Sequence, residues 1–308
     1  MNFDFVGKRK IFFGISIVFI VVAIVSFFTK GFEQDIEFKG GTIIDIELAQ
    51  EVNNTDIENI VKEVVPNEQP RVQKSEQRDE AGNIVKSGVS ISTSALEEEQ
   101  KNTVITKIAE KYGIEDIDSK ATFRTVKPTF GDEMKGRAIT ATVISLIVII
   151  LYIAFVFKKV GGISAAVTAF IKLVHDLIIT LMVYSVFGLP LNTTFVAALL
   201  TILGYSIDDT VIIYDRIREN ERVHRKMAMP ELINMSINQT LRRTLFTSLS
   251  VMVALALLYG FSVYYNVGSI QEFSLPLLIG MIAGTYSSIF VASNLWATWM
   301  MHAKNKKA

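Results

Sequence analysis

The chain has 308 residues, half of them hydrophobic, and a mean hydropathy of +0.37, higher than soluble domains usually reach. Its 31 basic and 31 acidic residues cancel, so no global field recruits nucleic acid. With no cysteine and three scattered histidines (His175, His224 and His302), there is neither a disulfide framework nor a spaced set of metal ligands, and no cofactor is expected.

In chain order, the first feature is the apolar run Ile11–Thr29, preceded by Lys8, Arg9 and Lys10. A helix needs about 20 apolar residues to cross about 30 Å of hydrocarbon, and this run meets that length. A cleaved signal peptide is the competing reading. The run is longer than a signal core, and "FFTKGFEQ" lacks a small-x-small cleavage site, so a retained anchor over residues 1–30 is expected.

Residues 31–135 are polar and predict a small α+β domain. "GTIIDIELA" alternates Ile43, Asp45 and Glu47 with Ile44, Ile46 and Leu48, a strand pattern. Thr55–Val65 has helical spacing through Ile57, Ile60, Val61 and Val64. "RVQKSEQ" and "IVKSGVSIST" read as strands around a turn at Gly82-Asn83. Ser94–Tyr112 reads as a helix with Thr93 or Ser94 as N-cap and Gly113 as C-cap, and "KATFRTVKPTF" as the last strand. The order β-α-β-β-α-β is that of a ferredoxin-like split βαβ unit. No catalytic constellation lies in it, and the charged run Glu97–Glu99 reads as a solvated face. Such a domain binds or moves something rather than transforming it.

Five more apolar runs follow over residues 136–303: Ala138–Phe157, Val160–Phe187, Thr193–Tyr214, Thr244–Phe261 and Phe273–Met301. With the first they predict six membrane spans. Lys158 and Lys159, the group Arg216, Arg218, Arg222, Arg225 and Lys226, and the basic tail of residues 304–308 lie on one side with the N-terminus. The opposite short loops near Gly188–Asn192 and Ser262–Glu272 hold no Lys or Arg. Counting positive charge puts both termini in the cytoplasm and residues 31–135 outside. Lys127, Lys135 and Arg137 run against the rule, which long translocated domains obey poorly.

Three places put ionisable groups at membrane depth, where an isolated charge costs about 2.5–3.5 kcal/mol on insertion scales. In span 3, "FIKLVHDLIIT" sets Lys172, His175 and Asp176 on one face. They form either a neutralised Lys172–Asp176 pair with His175 beside it or part of a proton path. In span 4, Asp208 and Asp209 point about 100° apart, so they do not face the same partner. They would be interfacial if the span ended at Tyr205, but "TVIIY" resumes the apolar run, so they are embedded. In span 5, Arg242 and Arg243 either snorkel to headgroups or set a guanidinium against the span 4 carboxylates. An Asp–Arg pair is the expectation that best explains a carboxylate in lipid. Gly161-Gly162 and Ala165-Ala166 in span 3, and Gly280, Ala283, Gly284 and Ser287 in span 6, allow close helix packing.

These residues resemble the SecF family, the smaller membrane subunits of bacterial SecD–SecF protein-export complexes within the RND superfamily. The resemblance runs over the whole chain. It rests on "FKGGT", "HDLIIT", "GYSIDDTVIIYDRIREN", "NQTLRRTLFTS" and "EFSLPLLIGMIAGTYSSIFVAS". It implies an α-helical protein of the bacterial cytoplasmic (inner) membrane, a half-RND repeat of six spans with a ferredoxin-like outer domain. It also implies a SecD partner, the SecYEG channel, YajC and YidC as neighbours, and preproteins handled on the outer face at the expense of the proton gradient. The family's span 4 carboxylate matches Asp209 and its span 5 arginine matches Arg243. This sequence departs from the pattern at Asp208, where Asn is common, and at Lys172, where a small apolar residue is usual.

Two other classes compete. A half of a proton-coupled small-molecule pump would need a larger outer domain than residues 31–135. A passive assembly factor would use its buried charges for stability alone. An enzyme is not expected, since "FKGG" and "KVGG" lack P-loop spacing and no nucleophile–base set appears.

Overall fold

The computed structural model describes residues 3–48, 53–66, 70–78, 84–114 and 116–305, with backbone alone at 75–78, 84–87, 118, 160 and 303–305. The turn expected at Gly82-Asn83 and the last basic residues, 306–308, lie outside the described residues.

Among the described residues, six helices are long and apolar enough to cross a membrane. They are α1 (Arg9–Lys30), α6 (Pro128–Val156), α7 (Gly162–Phe187), α8 (Thr193–Val223), α9 (Met229–Tyr264) and a helix opened by α10 (Gly268–Tyr286). The last continues through a π-helical segment, Ser287–Ala292, into α11 (Ser293–Asn305). Three of these helices run well past the apolar runs that announced them. α8 continues to Val223 through "DRIRENERV", α9 begins at Met229 rather than Thr244, and α10 begins at Gly268 rather than Phe273.

The helices are not equivalent. The apolar stretches of α7, α8 and α10–α11 are the most buried, whereas those of α1, α6 and α9 are mostly exposed. The first set forms the interior, and it is the set that carries Lys172, Asp176 and Asp209. Close approach within it depends on missing side chains. A Cβ at Gly280 would meet Ile202, and one at Gly284 would stand 3.0 Å from Ser206 Oγ. One helical turn separates the two contacts on both helices, so α10 lies against α8 along a small-residue seam, as its spacing predicts.

The sheet domain adds α2 (Ile36–Lys39), β1 (Gly41–Leu48), α3 (Asn54–Val64), β2 (Arg71–Arg78), β3 (Ile84–Thr93), α4 (Glu98–Tyr112), α5 (Ile117–Lys120) and β4 (Ala121–Val126). The strands pair antiparallel in the order β2-β3-β1-β4, the ferredoxin-like arrangement. Ile44 and Ile46 of β1 and Ile91 of β3 point into a core with Ile57 and Val61 of α3 and Val104 and Ile108 of α4. The opposite sheet face is polar. Arg124 pairs with Asp45 across it at 2.6 Å.

One boundary moves. α4 starts at Glu98, not Ser94, because Thr93 is still in the β3 ladder opposite Thr42. The cap is Glu97, whose backbone N–H donates to Gln100 at 3.0 Å in a capping box. Glu97–Glu99 is exposed, and Gly113 closes the helix in the left-handed region at φ 62°.

Candidate functional site

The interior charges sit at one level, where α7, α8, α9 and the π-helical turn meet. Lys172 and Asp176 are fully buried and form an ion pair across one turn of α7, with Nζ 3.2 Å from Oδ2. The Lys172 ammonium also donates to the Ser206 carbonyl and hydroxyl, and Ser206 in turn donates to Asp176 Oδ2. His175 Nδ1 lies 3.1 Å from Asp176 Oδ1, and the other ring nitrogen, Nε2, is buried with no hydrogen-bond partner. Asp176 is therefore a carboxylate answered by an ammonium, a hydroxyl and an imidazole. This is the neutralised-pair geometry, completed by a serine from the neighbouring helix.

Asp209 is equally buried, at 2 % exposed, but its surroundings differ. The Ser248 hydroxyl donates to its Oδ2 at 3.2 Å, and Thr285 supports Ser248 at 2.9 Å. Among the described residues no cation lies within ion-pair distance of it. The basic side chain whose field reaches it is Lys172. Beside it, Thr210 and Ser288 join α8 to the π-helical turn at 3.1 Å, and Ser288 donates to the Ser206 carbonyl at 3.1 Å. The wide π turn lets Ser288 reach back to α8, consistent with the tendency of such turns to fall at functional sites.

The expected Asp209–Arg243 pair is absent. The register between α8 and α9 explains why. Asn220 meets Ser236 and Gln239 at 2.8 Å, Arg216 meets Gln239 at 2.6 Å, and Asp209 meets Ser248. Ser248, not Arg243, is level with Asp209. Arg243 lies five residues earlier, about 7.5 Å along the axis, and is exposed. Arg242 is exposed too, with its guanidinium 5.6 Å from the Phe246 ring. Asp208 also points outward, away from the buried Lys172. The structure thus joins Lys172, His175, Asp176 and Asp209 in one interior cluster and leaves Asp208 and Arg243 on the bundle surface.

The family model described as "Protein export membrane protein SecD/SecF, C-terminal" matches residues 105–302, which hold every residue of this cluster. The chain belongs to the SecD/SecF family. Among relatives named protein translocase subunit SecF, that of Petrotoga mobilis is 33 % identical over 95 % of this chain and 94 % of its own length. That of Calditerrivibrio nitroreducens is 35 % identical over 96 % and 93 %. The crystal structure of SecDF, a translocon-associated membrane protein from Thermus thermophilus, superposes with a TM-score of 0.80 at 29 % identity, covering 98 % of this chain. A super-membrane-facing form of SecDF gives 0.71 at 29 % identity over 100 % of this chain. The chain spans about two fifths of those SecDF chains, 39 % and 40 %. Membership in the SecD/SecF family and the six apolar helices make it a multi-pass membrane protein.

This SecD/SecF chain carries a third buried carboxylate, one that its sequence did not announce. Glu272, on the first turns of α10, is 6 % exposed and pairs with Arg71 of β2 at 2.5 Å. Gln73 of β2 donates to the same oxygen, and Asn192 donates to the other at 3.2 Å. Nearby, the segment after α1 bridges to the α7–α8 loop through Asp35 N–H to the Leu191 carbonyl at 3.1 Å. Burial raises the Asp35 carboxyl above its ordinary value of 3.8. The hydrogen bond from Glu37 N–H opposes this, as does the more distant Arg71 charge. A raised folded-state value favours folding below the unfolded-state value, and that advantage is lost as pH rises through the folded-state value. Asp35→Asn keeps the acceptor for Glu37 N–H and removes the half-buried charge. Its melting temperature should exceed the parent's at pH 7, and the difference should vanish as pH falls below 3.8. Thermal unfolding in detergent across that range checks it, and an acid-side advantage would overturn it.

Proposed function

We propose that this chain is the SecF-type subunit of a bacterial Sec export machinery, which uses the proton gradient with a SecD-type partner to drive late translocation of exported proteins. The observation that carries the reading is the buried set Lys172, Asp176, Ser206 and Asp209, in which one ammonium pairs with Asp176 while a second buried carboxylate, on the adjacent helix, has no ion-pair partner among the described residues. Asp176 has its counter-ion at hand. Asp209 has neutral hydroxyl neighbours that suit an uncharged carboxyl. Once it gives up its proton, the basic side chain whose field reaches it is Lys172, which is bonded to Ser206, three residues before Asp209 on α8. Loading and unloading Asp209 then alters the pull across the α7–α8 interface. A change confined to one atom becomes a bias on how two helices sit.

Arg243, exposed on α9, has no interior partner among the described residues and is left to the partner subunit or to lipid headgroups. The exposed apolar faces of α1, α6 and α9 suit lipid and a second membrane subunit of the SecD type. The relatives' names support the Sec context. SecYEG, YajC and YidC as neighbours, and preproteins on the outer face, rest on the family resemblance. Basic residues clustered at the bundle end away from the sheet domain support cytoplasmic termini in the inner membrane, with the sheet domain outside.

The test is export of a preprotein by the chain with its partner in membrane vesicles. Dissipating the proton gradient with an ionophore should slow the step that depends on this chain. Equal dependence on the gradient in vesicles with and without the chain would remove the reading.

A further inference from the structure

The sheet domain joins the membrane bundle at both sides of its sheet, and α2 adds Glu37, whose carboxylate accepts from the Thr193 N–H and hydroxyl at 3.0 and 2.7 Å. On the β1/β4 edge the connection is covalent. The chain enters β1 through Gly40 and Gly41, both at positive φ (79° and 156°), and leaves β4 through Lys127 into α6. The two connections are pressed together. A Cβ at Gly40 would stand 2.8 Å from Pro128 N, and one at Gly131 would meet the Phe38 carbonyl. On the far edge, β2, the connection is non-covalent: Arg71 and Gln73 both hold Glu272. Val72 between them points the other way, into the domain core. With strands about 4.8 Å apart, the two edges lie about 15 Å from each other. One edge is a hinge and the other a fastening.

The fastening sits at the end of a polar seam. Ser164, Thr168, Lys172, Asp176, Thr180 and Tyr184 follow one another at strict intervals of four along α7, and all are buried. At 1.5 Å per residue the seam runs about 30 Å, the thickness of a bilayer core. Thr168 meets Tyr214 at 2.8 Å at one end. The Tyr184 hydroxyl donates to the Glu272 carbonyl at 3.2 Å at the other. Thr180 donates to the Asp176 carbonyl at 2.8 Å between them. The groups facing Glu272 are Arg71 and Gln73 from β2, Asp35 from the segment after α1, Asn192 from the turn before α8 and Tyr184 from α7.

We propose that Glu272 is a latch: its bonds to Arg71 and Gln73 hold the β2 edge of the outer domain over the mouth of the α7 seam, and their release frees that edge and opens the seam to water. This rests on the proton-coupled reading above and adds to it the point where the outer domain meets the proton route. An ion pair with one partner buried and the other partly exposed is a poor fastener on stability grounds, because desolvation offsets much of its attraction. It is well suited to being broken and remade, since water and protons compete for both partners once the edge lifts.

The chain has no cysteine, so a disulfide can report on the latch. A Cβ at Gly268 would stand 3.8 Å from Gln73 Cγ. In membrane vesicles holding the full chain and its partner, Gln73→Cys with Gly268→Cys should cross-link under mild oxidant. Cross-linking should fall about fivefold when a proton gradient is imposed, and export should drop about tenfold on oxidation and return on reduction. A yield indifferent to the gradient, or full export from cross-linked protein, would overturn the latch. In an Asp209→Asn background the yield should stop responding to the gradient. A response that persists there keeps the latch and removes Asp209 as its driver, so the two ideas fail separately. Charge exchange gives a second route. Arg71→Glu and Glu272→Arg should each lower export about tenfold and together restore most of it. A double variant no better than either single one would sink the proposal.

Discussion

Asp209→Asn is expected to abolish the gradient-dependent part of export while leaving the chain folded and bound to its partner. The amide has the carboxyl's shape and can still accept the Ser248 hydroxyl, so the contacts seen at 3.2 Å survive. No ion pair is lost, because none within bonding distance is made. Removing a buried group that can ionise relieves the membrane of a potential charge, so stability should hold or rise slightly. What disappears is the capacity to exchange a proton beside Lys172. The gradient-driven increment in export should fall by about a hundredfold, the scale on which positioned proton-transfer groups act. The measurement is export rate in vesicles with and without a proton gradient, beside thermal unfolding and partner co-purification of the same variant. A full gradient response from this variant would end Asp209's role. A collapse in stability would make the residue a packing element instead.

The contrast with the pair expected from sequence shows what spacing can and cannot say. Six spans were legible because hydrocarbon thickness demands long apolar runs, and nothing else in the chain has that length. The Lys172–Asp176 pair was legible because intervals of four lie on one helical face. The Asp209–Arg243 pair failed on depth and on direction. Apolar runs marked α9 as starting at Thr244, which set Arg243 at the helix mouth. The helix begins at Met229, and Arg243 lies well inside it. It also sits about 140° around the helix from Ser248, the residue that faces Asp209. Helix extensions into water are amphipathic rather than apolar, so hydropathy does not find their ends.

The serines were missed for another reason. Ser206, Ser248 and Ser288 carry no charge that would mark them within an apolar run, and only the shared level of three helices gives them polar work. A signal was present in α7, where hydroxyl and charged residues recur every four positions. The Glu272–Arg71 contact had none, since it joins residues 201 positions apart on separate domains.

Lys172→Met should be the most destabilising single change in the bundle. The ammonium is fully buried and binds Asp176 and Ser206 together. Methionine fills a similar volume but leaves Asp176 with a hydroxyl and an imidazole for company. Stranding a buried carboxylate in this way costs about 3–5 kcal/mol. Removing the charge as well should recover most of it: Lys172→Met with Asp176→Asn should unfold near the parent, a coupling of about 2–3 kcal/mol. Chemical unfolding in detergent measures the cycle. The double variant also separates structure from coupling. If the lysine only neutralises Asp176, a stable double variant should export with a normal gradient response. If Lys172 is the cation that Asp176 and Asp209 share, the stable double variant should remain unresponsive to the gradient, because no cation is left to answer the charge that Asp209 acquires when it loses its proton. The second outcome is the one expected from an ammonium bonded to Ser206, which donates to Asp176 and lies three residues before Asp209 on α8.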